Sequence, residues 1–256
     1  MIVADYTFYD KFYAPHTHFP KLRKSYHKLP SLYSFDLEQA RLEYLNICKV
    51  TPLKPFEFLG NNGNLRKRIS YQGLGLSSRV SKESCYDALS LYNPQGHIDI
   101  FKTFAKSSDT LPPENREIEK LDESGFSILT SACNSFYSNI IGRFKSPFTK
   151  VRFLELKPGG MIPNHFDFPY YQGIRIHACL HSNQNVIWNV EGEEFSIPSD
   201  GHFYWFDTGK YHSVVNNSNE SRIVLSINLS VYFDRSGNPL HDANTDLFQL
   251  IDQGLI

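Results

Sequence analysis

The sequence predicts a mainly β fold with flanking helices, in which the strands close into a barrel or jelly roll. From Val151 onward, apolar residues recur at every second position in short segments that turn residues separate, as in half-buried strands. The chain contains 20 Phe and 15 Tyr but only two Met, and aromatic residues favour strands over helical bundles. Its 256 residues are enough for one large domain with a sizeable core.

Composition and charge exclude several classes of protein. With 41% hydrophobic and 14% aromatic residues, the chain is too apolar to be intrinsically disordered. Lys and Arg number 26 and Asp and Glu 27, so the formal charge of -1 gives no overall attraction to nucleic acid or anionic membranes. No apolar run reaches the roughly 20 residues that span a bilayer. The four cysteines lack disulfide-framework spacing and the first residues lack signal-peptide regions, which predicts a cytoplasmic protein.

Residues 1–145 are predicted to form a mixed α/β part that packs on the barrel and is a candidate region for selecting the substrate. Five prolines between Pro15 and Pro55 break up its opening. Residues 34–48 have apolar side chains near helical spacing and acidic residues in the first turn, which predicts a helix. A second helical pattern runs over residues 118–141, with Gly125 as a point of interruption.

Two further patterns in this part allow more than one interpretation. The cluster Arg66-Lys67-Arg68 is interpreted as a solvated face, with contact to a phosphate or an acidic substrate as the alternative. His16 and His18 share a face of an extended segment, but no carboxylate accompanies them. A loop feature is therefore preferred there to a metal site.

Residues 146–235 are predicted to form the jelly-roll core, and residues 236–256 a C-terminal part with a helix over 242–253. Turn residues separate the predicted strands. The strands cover residues 151–156, 173–181, 186–190, 193–197, 202–206, 211–216 and 222–229. Seven short strands at close and regular spacing are typical of an all-β barrel or jelly roll.

Two of these strands carry polar residues on one face, because residues i and i+2 of a strand point the same way. That face contains Arg175, His177, Cys179 and His181 in one strand and, beside the apolar Val224, Arg222, Ser226 and Asn228 in the other. A sheet with one solvated face is one explanation. Solvated faces usually carry Lys, Glu and Thr. The Arg, His, Ser and Asn residues of these two strands are better suited to buried hydrogen-bonding sites. A polar lumen is therefore the preferred interpretation.

His165 and Asp167 share a face of an extended segment, and His212 follows 47 residues later in a predicted strand. Two imidazoles and one carboxylate form the facial triad of non-haem Fe(II) oxygenases, although the same ligands would suit Mn or Zn. Arg222 lies ten residues after His212, across a hairpin. Its guanidinium could bind the second carboxylate of a dicarboxylate co-substrate in a bidentate manner. A surface Arg after a polar loop is the alternative interpretation of Arg222 by itself.

Taken in order, these motifs resemble the aspartyl/asparaginyl β-hydroxylase family, nearest its cis-proline hydroxylase-like branch. The resemblance covers about residues 152–229. It rests on Pro158-Gly159-Gly160-Met161-Ile162-Pro163-Asn164-His165-Phe166-Asp167, Arg175-Ile176-His177, Glu191-Gly192-Glu193, Asp207, His212-Ser213-Val214-Val215-Asn216 and Arg222-Ile223. Some members have Gly in place of the acidic ligand. The presence of Asp167 resembles the proline-hydroxylase branch and argues against the halogenating variant.

The resemblance implies a double-stranded β-helix, which is a cupin-like jelly roll, and an Fe(II)- and 2-oxoglutarate-dependent dioxygenase. It implies that the catalytic metal ligands are His165, Asp167 and His212 and that 2-oxoglutarate is bound by Arg222, Arg175 and His177. The expected reaction hydroxylates an unactivated C–H bond of a free amino acid or a small derivative. Succinate and CO2 are the expected co-products, and ascorbate is expected to support turnover.

Two other functions stay open beside this one. The enzyme could hydroxylate Asp, Asn or Pro residues in a peptide or protein, or the chain could be a non-catalytic metal-binding cupin module. The expected partners are an amino-acid-like small molecule and dioxygen, without nucleic acid and without a membrane. Trp188 and Trp205 are interpreted as barrel packing, because no basic stripe accompanies them as a base-stacking surface would require.

Overall fold

A computed structural model of the chain describes residues 26–59, 65–89, 126–165, 167, 173–232, 239–241 and 245–256. Within these ranges the helices are α1 (Leu37–Val50), α2 (Ser135–Ile141) and α3 (Leu247–Asp252). The strands are β1 (Tyr26–Lys28), β2 (Lys54–Leu59), β3 (Leu65–Gly75), β4 (Ser77–Ser78), β5 (Ile128–Leu129), β6 (Phe148–Leu156), β7 (Met161–His165), β8 (Ile174–His181), β9 (Val186–Val190), β10 (Glu193–Phe195), β11 (Tyr204–Phe206), β12 (His212–Asn216) and β13 (Arg222–Leu229).

Strands β6 to β13 form a jelly roll of two facing four-stranded sheets. One sheet has the order β11-β8-β13-β6 and the other the order β10-β9-β12-β7, and the paired strands are antiparallel. Leu154 of the first sheet and Trp188 and Val214 of the second are buried in the same apolar cluster, so the two sheets face each other. The strand order is that of a double-stranded β-helix, which confirms the predicted fold class.

All seven strands predicted in this region are present, with ends that differ by up to three residues. An eighth strand, β7, was not predicted, since only a turn and the His165 and Asp167 motif were assigned there. β7 pairs with β12 and completes the second sheet.

Three strands from the first part of the chain extend the first sheet at both edges. β1 pairs with β11, while β3 pairs with β6 and β2 with β3, which gives a seven-stranded sheet. The close approach of β3 to β6 depends on Gly73, where an added Cβ would lie 2.7 Å from the backbone oxygen of Phe153. The expectation that residues 1–145 select the substrate stays a prediction.

Helices α1 and α2 cover the outer face of this sheet. The α1 helix begins after Asp36, whose side chain accepts a hydrogen bond from the Gln39 backbone N–H at 3.0 Å. Its buried residues are spaced three or four apart, and Tyr44 contacts Phe153 of β6 with ring centroids 5.0 Å apart. The helix predicted at residues 34–48 is therefore confirmed with slightly later bounds.

The helix predicted over residues 118–141 is wrong between 126 and 134. Ile128–Leu129 form β5, which pairs with β4, and only Ser135–Ile141 are helical. Pairing with β4 and the hydrogen bond from the Thr130 hydroxyl to the Gly75 carbonyl hold this segment extended, so tertiary contacts override the local periodicity. Residues 118–125 lie outside the described ranges, as do His16 and His18.

The C-terminal helix is confirmed as Leu247–Asp252, capped by the Asp246 carboxylate, while residues 242–244 of the predicted span lie outside the described ranges. The longest described helix is α1, with 14 residues. None of the helices described is both long and apolar enough to cross a membrane.

The polar faces of β8 and β13 point into the space between the two sheets. Arg175 is 6% exposed, His177 3% and Arg222 1%, so the interpretation as a polar lumen is confirmed and a solvated face is excluded. The opposite faces of these strands, with Ile176 and Leu225, belong to the apolar cluster that the helices cover. His181 lies at the end of β8, where it is half-buried and its Nε2 is 3.1 Å from the Glu220 carboxylate.

Candidate metal centre

His165, Asp167 and His212 form one cluster inside the jelly roll. One possible ligand atom from each residue lies within 4.8 Å of the other two. His165 Nε2 is 4.0 Å from Asp167 Oδ1, and His212 Nε2 is 3.7 Å from Asp167 Oδ2. Two imidazole nitrogens and a carboxylate oxygen that converge in this way are a suitable ligand set for one transition-metal ion.

The backbone positions all three side chains. His165 ends β7 and His212 begins β12, and the two residues are direct partners in the antiparallel ladder, with ring centroids 4.2 Å apart. Asp167 follows β7, and its backbone N–H donates to the Thr208 carbonyl at 2.8 Å. The residue between them, Phe166, lies outside the described ranges.

Both histidines present the Nε2 atom to the cluster. His165 Nδ1 is 2.7 Å from the Pro163 carbonyl oxygen, and His212 Nδ1 is 2.8 Å from the Lys210 carbonyl oxygen. Because a carbonyl can only accept, each Nδ1 carries a proton. Burial lowers the pKa of His212 to about 4, against the opposing effect of Asp167, so its ring is neutral near pH 7.

Arg175 holds the acidic member of the cluster. Its Nη1 donates to Asp167 Oδ2, and its Nε donates to Asn228 Oδ1 at 2.9 Å. Both ends of the ion pair are buried, with 7% of each side chain exposed. The guanidinium therefore compensates the buried carboxylate and fixes its orientation. The expected contact of Arg175 with a co-substrate stays a prediction.

Arg222 places a guanidinium deep in the lumen. The residue is 1% exposed, and its Nε and Nη1 atoms have no hydrogen-bond partner among the residues that the structure describes. Its guanidinium carbon lies 4.5 Å from the centroid of the Trp188 ring, and burial lowers its pKa from the usual value. A buried cation with unused donors is unfavourable by several kcal/mol unless an anion pairs with it. The site therefore fits a carboxylate at this position.

His177 lies beside Arg222 and Arg175, and both of its ring nitrogens are buried without a hydrogen-bond partner in the described part of the chain. Its ring stacks on Phe206 at 5.3 Å and 11°. Burial, followed by the charges of Arg222 and Arg175, lowers its pKa well below the usual value. The ring is thus neutral and keeps one donor and one acceptor for a bound molecule.

All six site residues expected from the sequence come together around one cavity between the sheets. Five of them line this cavity: His165, Arg175, His177, His212 and Arg222. The sixth, Asp167, lies within 4.8 Å of possible ligand atoms of His165 and His212. The lining also includes Phe56 of β2, Tyr71 of β3 and Arg152 of β6, which the sequence did not indicate as site residues. Arg68 of β3 lines the cavity as well, and it belongs to the basic cluster for which contact with a phosphate or an acidic substrate was the alternative interpretation. Arg152 could have been found by the alternation that revealed Arg175, since it lies between Val151 and Phe153, which pack on the outer face.

Comparison with known proteins identifies one family and many distant structures. Residues 126–230 match the sequence model of the aspartyl/asparaginyl β-hydroxylase family. No curated protein matches the chain. An oxidoreductase of the 2OG-Fe(II) oxygenase family from Burkholderia pseudomallei is 14% identical over 86% of this chain and 89% of its own, with a TM-score of 0.42.

Other solved structures are similar to about a third of the chain. A predicted oxalate decarboxylase from Thermotoga maritima is 18% identical over 32% of this chain and 67% of its own, with a TM-score of 0.27. A cupin 2 conserved barrel domain protein from Salinispora arenicola is 17% identical over 33% of this chain and 64% of its own, with a TM-score of 0.26. Because these TM-scores are all below 0.5, the fold is assigned from the strand order of the chain and not from these structures.

The matched residues 126–230 contain β6 to β13 and all six candidate site residues. The family implies Fe(II) and 2-oxoglutarate, and the ligand set and the two unpaired donors of Arg222 in the described part of the chain fit both. Residues 126–230 are therefore similar to the aspartyl/asparaginyl β-hydroxylase family, and this similarity supports an oxygenase activity.

Proposed function

We propose that this oxygenase hydroxylates an unactivated C–H bond of a free amino acid or a small amino-acid derivative. In this proposal His165, Asp167 and His212 hold Fe(II), and Arg222 binds the carboxylate of 2-oxoglutarate that is remote from the metal. One observation supports it above all: a complete two-histidine, one-carboxylate cluster shares a cavity with a buried guanidinium whose Nε and Nη1 donors find no partner among the described residues. The nearness to the cis-proline hydroxylase-like branch stays a prediction.

The three protein ligands would leave part of the metal's coordination sphere open. When bound, Fe(II) supplies the activation of dioxygen, with one oxygen atom placed in the substrate C–H bond and the other in the succinate formed with CO2 from 2-oxoglutarate. His212 needs no deprotonation to bind it near pH 7, because its ring is neutral there and the Lys210 carbonyl holds its proton on Nδ1.

The remaining side chains orient the co-substrate and keep water out. A planar guanidinium can hold a carboxylate through two parallel hydrogen bonds, so Arg222 would fix the direction of a dicarboxylate. His177 lies close enough to Arg222 for its charge to lower the imidazole pKa, and the free ring nitrogens could donate to the same co-substrate. Leu154, Ile162 and Val214 line the cavity with apolar surface, which strengthens these polar contacts.

A substrate panel tests the proposal. Amino acids, capped amino acids and short peptides are incubated with the protein, Fe(II), ascorbate and 2-oxoglutarate, and succinate and the gain of one oxygen atom in the substrate are measured. Turnover with small compounds is expected, and His165→Ala should abolish it. Response to peptides or proteins alone would favour the alternative of a peptide hydroxylase. Metal binding without any 2-oxoglutarate consumption would favour a non-catalytic cupin module.

A further inference from the structure

Trp188 contributes a buried hydrogen-bond donor to the cavity wall. It lies in the middle of β9, is 3% exposed and lines the cavity. Its Nε1 atom is buried and has no hydrogen-bond partner among the residues that the structure describes. Buried indole N–H groups usually have a partner, because an unpaired donor loses its hydrogen bonds to water without replacement. Barrel packing, predicted from the sequence for this residue, therefore leaves its N–H group unexplained.

The second sheet fixes the distance of Trp188 from the metal centre. Val190 pairs with His212 across β9 and β12, and Trp188 lies two residues before Val190 on the same buried face of β9. Two residues of strand correspond to about 7 Å. Trp188 is thus separated from a candidate metal ligand by a distance that suits the far end of a five-carbon diacid bound at the metal.

Trp188 also contacts Arg222, which belongs to the opposite sheet. The guanidinium carbon lies over the indole ring, 4.5 Å from its centroid, and both residues are almost fully buried. An aromatic face attracts a cation, most strongly where water is excluded. The ring therefore limits the positions that the guanidinium can take. In the described part of the chain, unpaired donors of two neighbouring side chains consequently line one cavity.

These donors match the acceptors of a single carboxylate. An ionised carboxylate has two oxygens with about four lone-pair sites, and a guanidinium in bidentate contact uses only two of them. An indole N–H group can use a third site, and it does so without adding charge to the cavity. A carboxylate between Trp188 and Arg222 would thus give a partner to both side chains.

We propose that Trp188 binds and positions the co-substrate together with Arg222. The indole ring holds the guanidinium in place, and the Nε1–H group donates a hydrogen bond to the carboxylate of 2-oxoglutarate that is remote from the metal. The inference rests on the proposed function and adds a residue that this function does not include. It also gives the second sheet a part in co-substrate binding, since β9 belongs to that sheet and β13, with Arg222, to the first.

Two ligands that differ only in the remote carboxylate test the proposal. 2-Oxoglutarate has this group, and 2-oxopentanoate has a methyl group in its place. Binding of each to the protein with Mn(II) is measured by calorimetry under argon. Trp188→Phe keeps an aromatic ring against Arg222 and loses the N–H group, so we expect the Kd of 2-oxoglutarate to rise about tenfold. The Kd of 2-oxopentanoate should stay unchanged.

Two further variants separate the ring from the donor. Trp188→Leu removes both and should raise the Kd of 2-oxoglutarate about 100-fold, because the guanidinium also loses its aromatic contact. Trp205→Phe is the matched control. Trp205 is buried in the apolar cluster on the outer face of the first sheet, so neither Kd should change. The melting temperatures of the metal-free variants show whether each one folds.

Fluorescence tests the contact without a substitution at Trp188. The chain has two tryptophans, so Trp188 is the one that remains in Trp205→Phe. Its emission should change on titration with 2-oxoglutarate in the presence of Mn(II), with a midpoint equal to the Kd from calorimetry. 2-Oxopentanoate should change it less. This measurement keeps the proposal testable even if Trp188→Phe does not fold.

An unchanged Kd of 2-oxoglutarate in Trp188→Phe would overturn the proposal. So would an equal loss for both ligands, since that result indicates a structural role, or an emission of Trp188 that does not respond to 2-oxoglutarate. Failure of the proposed function looks different: the wild-type protein would then bind no 2-oxoglutarate.

Discussion

His165 and His212 face each other across the ladder between β7 and β12, with their ring centroids 4.2 Å apart. Their separation is therefore fixed by the pairing of two strands and does not depend on the folding of a loop. A slip of one residue in either strand would turn one imidazole to the opposite face of the sheet. The sheet register thus preorganises two of the three candidate metal ligands.

His165→Ala should abolish activity with little effect on folding. The side chain lies at the end of β7 with 15% of its surface exposed, so its loss leaves no large cavity in the apolar core. Because it removes a ligand, we expect substrate-dependent succinate formation to fall by more than about 100-fold, beyond the 10- to 100-fold typical of outer contacts. Bound iron after gel filtration and the melting temperature would be measured together.

Ser213→Ala is the matched control for His165→Ala. Ser213 neighbours His212 on β12 but alternates to the outer face, where it is half-buried. Its variant should retain iron and activity. Full activity of His165→Ala would contradict the assignment of the ligand.

Asp167→Ala should destabilise the metal-free protein, in contrast to His165→Ala. The substitution leaves the Arg175 guanidinium buried without its carboxylate, which costs about 3–5 kcal/mol in comparable pairs. The double variant Asp167→Ala/Arg175→Met should recover much of this loss, because it removes both charges. Urea unfolding of the four metal-free proteins measures the coupling. Strictly additive effects would show that the two side chains do not stabilise each other.

The part of the site that could be predicted from sequence is the part whose alternating pattern lies within a single strand. In β8 and β13, strict alternation separates Arg175 and Arg222 from the Ile and Leu residues that pack under the helices, so the polar lumen could be predicted from each segment alone. The spacing of His165 and Asp167 is likewise local. The ladder that joins them to His212 could not be seen in the sequence, because it depends on which strands become neighbours.

The contacts that the sequence analysis missed are contacts between distant segments. Asp167 and Arg175 were assigned to metal and co-substrate, but nothing local indicates that they pair with each other. β3 contains Gly73 and Gly75, which lower strand propensity, yet both allow its backbone to lie close against neighbouring segments. Arg68 is therefore in the cavity for a reason that only the assembled sheet reveals.

Gly201→Ala should destabilise the protein through the attachment of α1 to the sheet. Gly201 has a φ of +73°, and an added Cβ would lie 2.4 Å from the Phe35 carbonyl oxygen, just before α1. The Phe35 backbone N–H also donates to the Gly201 carbonyl at 2.9 Å, so the two segments cannot separate without losing that bond. We expect a loss of about 2–4 kcal/mol in urea unfolding, from backbone strain and the clash together.

Gly192→Ala separates the two causes. Gly192 has a φ of +91°, but no atom lies within 4 Å of an added Cβ, so its variant should lose only about 1–2 kcal/mol from the strained backbone. An equal loss in both variants would show that the contact with Phe35 contributes nothing.

Metal binding should stabilise the wild-type protein in a way that depends on the ligand set. An ion that binds the folded state alone adds about 2.7 kcal/mol at 100 times its dissociation constant. Titration of the metal-free protein with Fe(II) under argon, or with Mn(II), should therefore raise the melting temperature, and a chelator should reverse the effect. His212→Ala should show no such rise. A rise of the same size in that variant would place the metal at another site.

Arg222→Met should make the metal-free protein more stable and less able to bind 2-oxoglutarate. The guanidinium is 1% exposed with two donor nitrogens unpaired, and replacing a buried charge by an apolar side chain of similar size stabilises proteins by about 1–4 kcal/mol. Urea unfolding measures this gain.

With Mn(II) present, 2-oxoglutarate should raise the melting temperature of the wild type but not of Arg222→Met. Arg222→Lys should give an intermediate rise, since an ammonium keeps the charge without the bidentate geometry. Loss of stability in Arg222→Met, together with an unchanged response to 2-oxoglutarate, would show that Arg222 serves the fold and not the co-substrate.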